Sequence, residues 1–148
     1  MAKNILLFVL GAVISVLFIV FSTPLFEVLY YEREFSNEMY NANLYLPLAF
    51  VDVMVAWVLA AIYYYVINSV RFSRWYHWLI VLVIAMVLAP SINYIYANAA
   101  FADDGLAFYS QLLGFTMVGV IIEAVLFIIV SFSLRWWSSN CRHTPIPE

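Results

Sequence analysis

The sequence predicts an all-α integral membrane protein: a four-helix (tetraspan) bundle, N-in and C-in, with an interfacial helix in the first outer loop. Three observations predict it. Of the 148 residues, 67% are hydrophobic and 10% charged, the reverse of what the surface of a soluble domain requires. Apolar runs long enough to cross a hydrocarbon core of about 30 Å recur four times. The basic residues fall almost wholly on one side of those runs, as the positive-inside rule demands. Four spans of about 20 residues take up about 80 positions, so the remainder suffices for loops and a tail but not for a second domain. A net charge of -3 with six Lys and Arg excludes a nucleic-acid surface, which needs clustered cations.

The spans are placed at 5–21, 46–67, 79–97 and 106–134. The first follows Met1-Ala2-Lys3 and reads as an uncleaved helix rather than a secretory signal. It is long for a signal core, and no small-x-small site precedes Ser22-Thr23-Pro24. Lys3, Arg71, Arg74, Arg135 and Arg142 then share one side, and Arg33 alone lies on the other. Aromatic residues mark the expected span ends, where an apolar ring with a wet polar tip is favoured. Tyr63, Tyr64, Tyr65, Trp75, Tyr76, Trp78, Trp136 and Trp137 form the inner belt; Tyr30, Tyr31, Tyr40, Tyr45, Tyr94, Tyr96 and Tyr109 form the outer one.

The outer loop 22–45 carries its own structure. Ser22-Thr23-Pro24 reads as a capped helix start. Glu27, Glu34 and Glu38 share one helical face and Leu25, Phe26, Leu29 and Tyr30 another, which predicts a helix lying on the outer bilayer surface. The second outer loop, 98–105, contains Asp103, Asp104 and Gly105, and either acid is suited to cap the last helix. On the inner side, the turn 68–78 is basic and aromatic, with Arg71 and Arg74 as candidate contacts. The inner tail 135–148 carries Cys141, His143, Pro145 and Pro147.

Because lipid gives helices no hydrophobic reason to associate, packing faces in membranes are marked by small residues at spacing four and by buried polar groups. Each span has such a stripe: Gly11 and Ser15; Ala49, Asp52, Ala56 and Ala60; Ala85, Ala89, Asn93 and Ala97; Thr116, Gly119 and Glu123. At about 1.5 Å per residue from the inner ends, Ser15 and Glu123 fall near the midplane, and Asp52 and Asn93 lie farther out. The expected pairs are therefore Asp52 with Asn93 and Glu123 with Ser15.

An acid near a span centre costs about 2.5 to 3.5 kcal/mol to insert, and no Lys, Arg or His lies within these spans. Glu123 must then be protonated, bound to an external cation, or paired with another subunit. The expectation is a neutral Glu123 donating a hydrogen bond to Ser15 or to a backbone carbonyl. Asp52, nearer the outer interface, is expected to be wet and ionised. Both acids serve either as polar glue that sets helix register or as participants in ion or proton movement. Pro90, followed by Ser91, leaves one carbonyl of its helix unpaired beside Asn93.

Enzyme chemistry finds little support. A lone cysteine forms no internal disulfide or Cys-x-x-Cys pair; His77, Cys141 and His143 lack any spacing that fixes a metal geometry; and phosphate loops, nucleophile elbows and His-Glu-x-x-His patterns are absent. No catalytic residue, cofactor or metal is assigned, and internal repeats are not evident. The sequence thus predicts a non-enzymatic membrane subunit that oligomerises or joins partner proteins in an envelope machine or defence complex, in a bacterial inner membrane with both termini cytoplasmic. The alternative is an oligomeric ion channel or proton-coupled carrier that uses Glu123 and Asp52.

Overall fold

The computed structural model describes residues 2–138, and every regular element among them is helical. Four helices are long and apolar enough to cross a membrane. We label the α-helices α1 (Ala2–Val20), α2 (Ser22–Leu29), α3 (Arg33–Asn41), α4 (Tyr45–Ala61), α5 (Trp75–Asp103) and α6 (Tyr109–Leu134). A π-helical turn, Ile62–Ile67, extends α4, and short 3-10 turns follow at Val70–Phe72 and Arg135–Trp137. α4 and α6 form the centre, and each packs on both α1 and α5. Residues 139–148, including Cys141, Arg142 and His143, lie outside the described part.

The inward faces follow the small-residue stripes, since residues four apart share a helix face. Ala49, Asp52, Ala56 and Ala60 are wholly buried, as are Ala85, Ala89 and Ala97. The large apolar side chains point the other way: Leu6, Val16, Val83, Val87, Met117 and Ile121 are exposed on the bundle's exterior, the arrangement that a lipid-facing surface requires.

The loop 22–45 is two helices instead of one. The backbone is extended at Tyr30 and Glu32, so Glu27 sits on α2 while Glu34 and Glu38 sit on α3. Neither helix merely lies on a surface. Phe26, Phe35 and Met39 are buried, and Phe35 meets Tyr30, Phe101, Phe108 and Phe115 at ring centroid distances of 5.8 Å. The pair forms an aromatic cap plugged into one end of the bundle. The expected Ser22 cap is not made: α1 runs into α2 almost without interruption, through Phe21 N–H to the Leu17 carbonyl and Leu25 N–H to the Phe21 carbonyl. The side-chain cap belongs to α3, where Glu32 accepts from Phe35 N–H at 2.9 Å and Ser36 Oγ accepts from Glu32 N–H at 3.1 Å. This reciprocal arrangement resembles a capping box.

Asp103 and Asp104 do not cap α6, whose first turn has no side-chain cap. They end α5, which runs six residues beyond the expected boundary at 97. Gly105, at φ 71°, closes the helix: its N–H bonds the Ala102 carbonyl and Leu106 N–H bonds the Phe101 carbonyl, a left-handed termination suited to glycine.

Three contacts define how the helices slide past one another. Trp78 Nε1 donates to Ser131 Oγ at 3.2 Å, and Pro90 packs on Gly119, which together set the antiparallel register of α5 and α6. Gly11 lies directly against Ser133, with no room for a Cβ between them, which sets α1 on α6.

Candidate functional site

The polar groups of the spans form two levels inside the bundle. Toward the capped end, Asn93 on α5 donates from Nδ2 to Asp52 Oδ1 on α4 at 2.6 Å, and to the Leu48 carbonyl at 3.4 Å. Asp52 is fully buried and Asn93 is 6% exposed, so Asp52 is packed among protein groups and not at the wet position its depth suggested. An Asp in apolar surroundings needs a donor, and both N–H groups of the Asn93 amide are engaged here. Thr116, which the α5–α6 register puts at the same level, turns back on its own helix and donates to the Leu112 carbonyl at 2.7 Å.

The second level holds Glu123, about two helix turns or 10 Å nearer the end where α4 turns into α5. It is 0% exposed, and neither carboxylate oxygen has a hydrogen-bond partner among the described residues. The expected bond to Ser15 is not made. Gly11 against Ser133 puts Ser15 level with Ile129, about two turns from Glu123, because α1 begins beyond the end of α6 and equal depth counted from each helix's own end is not equal height. Ser15 instead donates to the Gly11 carbonyl and accepts from Trp57 Nε1, both at 2.9 Å.

No family model matches the chain, and no curated protein or solved structure is significantly similar to it.

Arg71 and Arg74, in the turn between α4 and α5, are both exposed, and Arg74 approaches the Tyr76 ring at 6.0 Å. Neither joins the interior levels. His77 lies near them, its ring tilted against that of Tyr76 at a centroid distance of 4.3 Å; its suggested companions Cys141 and His143 lie outside the described residues. Among the described residues there is no cluster of three potential metal ligands.

Trp57 escaped notice in the sequence, and so did the burial of several residues near the inner ends of the spans. Trp57 joins α4 to Ser15 on α1; the signal was an indole far from either span end, where its N–H must find an acceptor. Arg135 is buried to 4% exposure with its guanidinium 4.1 Å from the centre of the Trp136 ring, and stacking on aromatic faces is what a weakly hydrated guanidinium tolerates. Tyr63 and Tyr64, read as belt residues, are also buried.

Proposed function

We propose that the chain is a non-enzymatic membrane subunit that assembles with itself or with partner membrane proteins, its termini on the cytoplasmic side of a bacterial inner membrane. The observation that carries this reading is the division of labour between inside and outside. The interior polar groups of α4 and α5 bond to one another across the bundle, which leaves the outer surface as the part available for recognition. That surface is apolar along all four long helices. It includes a groove of about 550 Å³ between α1–α2 and α6, lined by residues such as Leu17, Phe21, Leu25, Val125 and Ile129. A partner helix seated in this groove would gain van der Waals packing, one of the forces that drive helix association in membranes.

The test is the mass of the native assembly after extraction with the bilayer intact. A particle larger than one 17.1 kDa chain, or a partner recovered in fixed ratio, is expected; a lone chain at every protein-to-lipid ratio would overturn the reading. Labelling of single cysteines placed near Lys3 and Gly105 checks orientation, the first reacting only from the cytoplasmic side and the second only from outside.

A second reading, an ion channel or proton-coupled carrier, is favoured by one feature: two acids buried inside the bundle, with open oxygens on Glu123 and on Asp52 Oδ2. Purified protein in liposomes would then pass protons or cations, and Glu123→Gln would abolish the flux. Wild-type flux no greater than that of empty vesicles rejects it.

A further inference from the structure

The neutral donors of the spans nearest Glu123 are already committed, and Asp52, the other acid of the spans, is about two turns away toward the capped end with its Oδ1 on Asn93. Asn93 gives both amide hydrogens to Leu48 and Asp52. Thr116 gives its proton to Leu112, Trp57 to Ser15 and Trp78 to Ser131. The Tyr64 hydroxyl lies beside Ser131 and Trp78, more than two turns from Glu123 along α6. A carboxylate placed at Glu123 would therefore meet neither a donor nor a cation, a situation costing several kcal/mol.

The facing helix offers an acceptor instead. Proline has no N–H, so Pro90 leaves the carbonyl four residues before it, that of Met86, without its helical partner. The Pro90 ring faces α6, because a Cβ built on Gly119 would sit 3.8 Å from Pro90 Cβ and Cγ. Glu123 follows Gly119 by one turn on the same face, and in this antiparallel pair one turn beyond Pro90 is Met86. Directions agree as well as heights. Side chains lean toward the N-terminus of their own helix and carbonyls point toward the C-terminus, so the Glu123 carboxyl and the Met86 carbonyl both tilt toward the capped end, into the seam beside Pro90.

The geometry points to a proton-holding site between α5 and α6, in which the neutral Glu123 carboxylic acid donates its hydrogen bond to the Met86 carbonyl that Pro90 has released. Each of two groups that are costly in lipid satisfies the other. A proton suits such a site, since metal cations need a shell of several oxygens and the inward residues of α5 on either side of Met86, Ala85 and Ala89, are apolar and buried. This site is independent of whether the bundle assembles with partners or conducts.

Infrared spectroscopy of the full chain in liposomes tests it. The wild-type minus Glu123→Gln difference spectrum should contain one carboxylic-acid carbonyl band at a hydrogen-bonded position. In Pro90→Ala, where residue 90 regains an N–H and reclaims the Met86 carbonyl, that band should move to the higher frequency of a free acid. A second measurement covers the case in which Pro90→Ala fails to fold. With carbonyl-13C methionine, and Met86→Leu to assign the signal, the Met86 amide band should shift in Glu123→Leu and return toward wild type in Glu123→Gln, whose amide still donates. Carboxylate bands in place of the acid band, or a Met86 band indifferent to Glu123→Leu, would overturn the proposal.

Discussion

Asn93 Nδ2 lies 2.6 Å from Asp52 Oδ1, joining α5 to α4 across the bundle interior, and the same amide also reaches the Leu48 carbonyl. One amide thus serves an acid and a backbone group in the helix that faces it.

Separating that pair should be costly, and its two halves should not be equivalent. Asn93→Leu leaves a buried acid without its donor, for which a loss of about 1 to 3 kcal/mol is expected. The coupling energy from the double-mutant cycle with Asp52→Leu should be near 0.6 and at most about 1.7 kcal/mol, the range for interhelical hydrogen bonds in membranes. Unfolding of the reconstituted protein measures both. A coupling energy of zero would show that the short contact holds nothing together.

Gly11 and Gly119 both belong to small-residue stripes, yet they should respond oppositely to a methyl group. At Gly11 a Cβ would fall inside the Ser133 side chain, whereas at Gly119 it would meet only Pro90 at an ordinary contact distance of 3.8 Å. Gly11→Ala should lose about 1 to 3 kcal/mol through overpacking, with recovery in the Gly11→Ala, Ser133→Gly double variant. Gly119→Ala should change stability by less than about 0.5 kcal/mol, as substitutions without a clash do. Thermal unfolding of the four proteins in one detergent compares them directly.

The aromatic cap should loosen when Phe35 is truncated. Its ring is wholly buried against four other rings, so Phe35→Ala is expected to cost about 3 to 5 kcal/mol. Hydrogen exchange should quicken across α2 and α3 and at the start of α6, with α4 and α5 protected at mid-span. Uniform faster exchange over the whole chain would show instead that the cap and bundle open as one unit.

Gly105 should resist substitution for a backbone reason alone. A Cβ there would meet nothing within 4 Å, but φ is +71°, so Gly105→Ala is expected to lose about 1 kcal/mol or slightly more. Gly105→Asn should lose less, since Asn tolerates the left-handed region. Equal stability of all three proteins would mean that the turn has reshaped.

The helices and their inward faces were legible in the sequence because both are local properties. Apolar length produces a span, and spacing four puts Asp52 with Ala49, Ala56 and Ala60 on one side whatever the helix packs against. The Asp52–Asn93 pair could also be anticipated, since α4 and α5 are joined by a short turn that ties their heights together. The Glu123–Ser15 expectation failed because α1 and α6 share no such turn: their heights come from Gly11 against Ser133 and from the ring contact of Phe8 with Trp137. For Trp57 the need for an acceptor was legible but its identity was not, as the partner lies on another helix.

By itself, then, the sequence determined that this chain forms four long apolar helices and which stripe of each turns inward, for these depend on composition and on the helical repeat. Only the tertiary structure decided which polar groups meet. Axial offset between helices is set by interlocking side chains at a few contacts, such as Trp78 on Ser131 and Pro90 on Gly119. A shift of a single turn moves a side chain by about 5.4 Å, beyond the reach of any hydrogen bond.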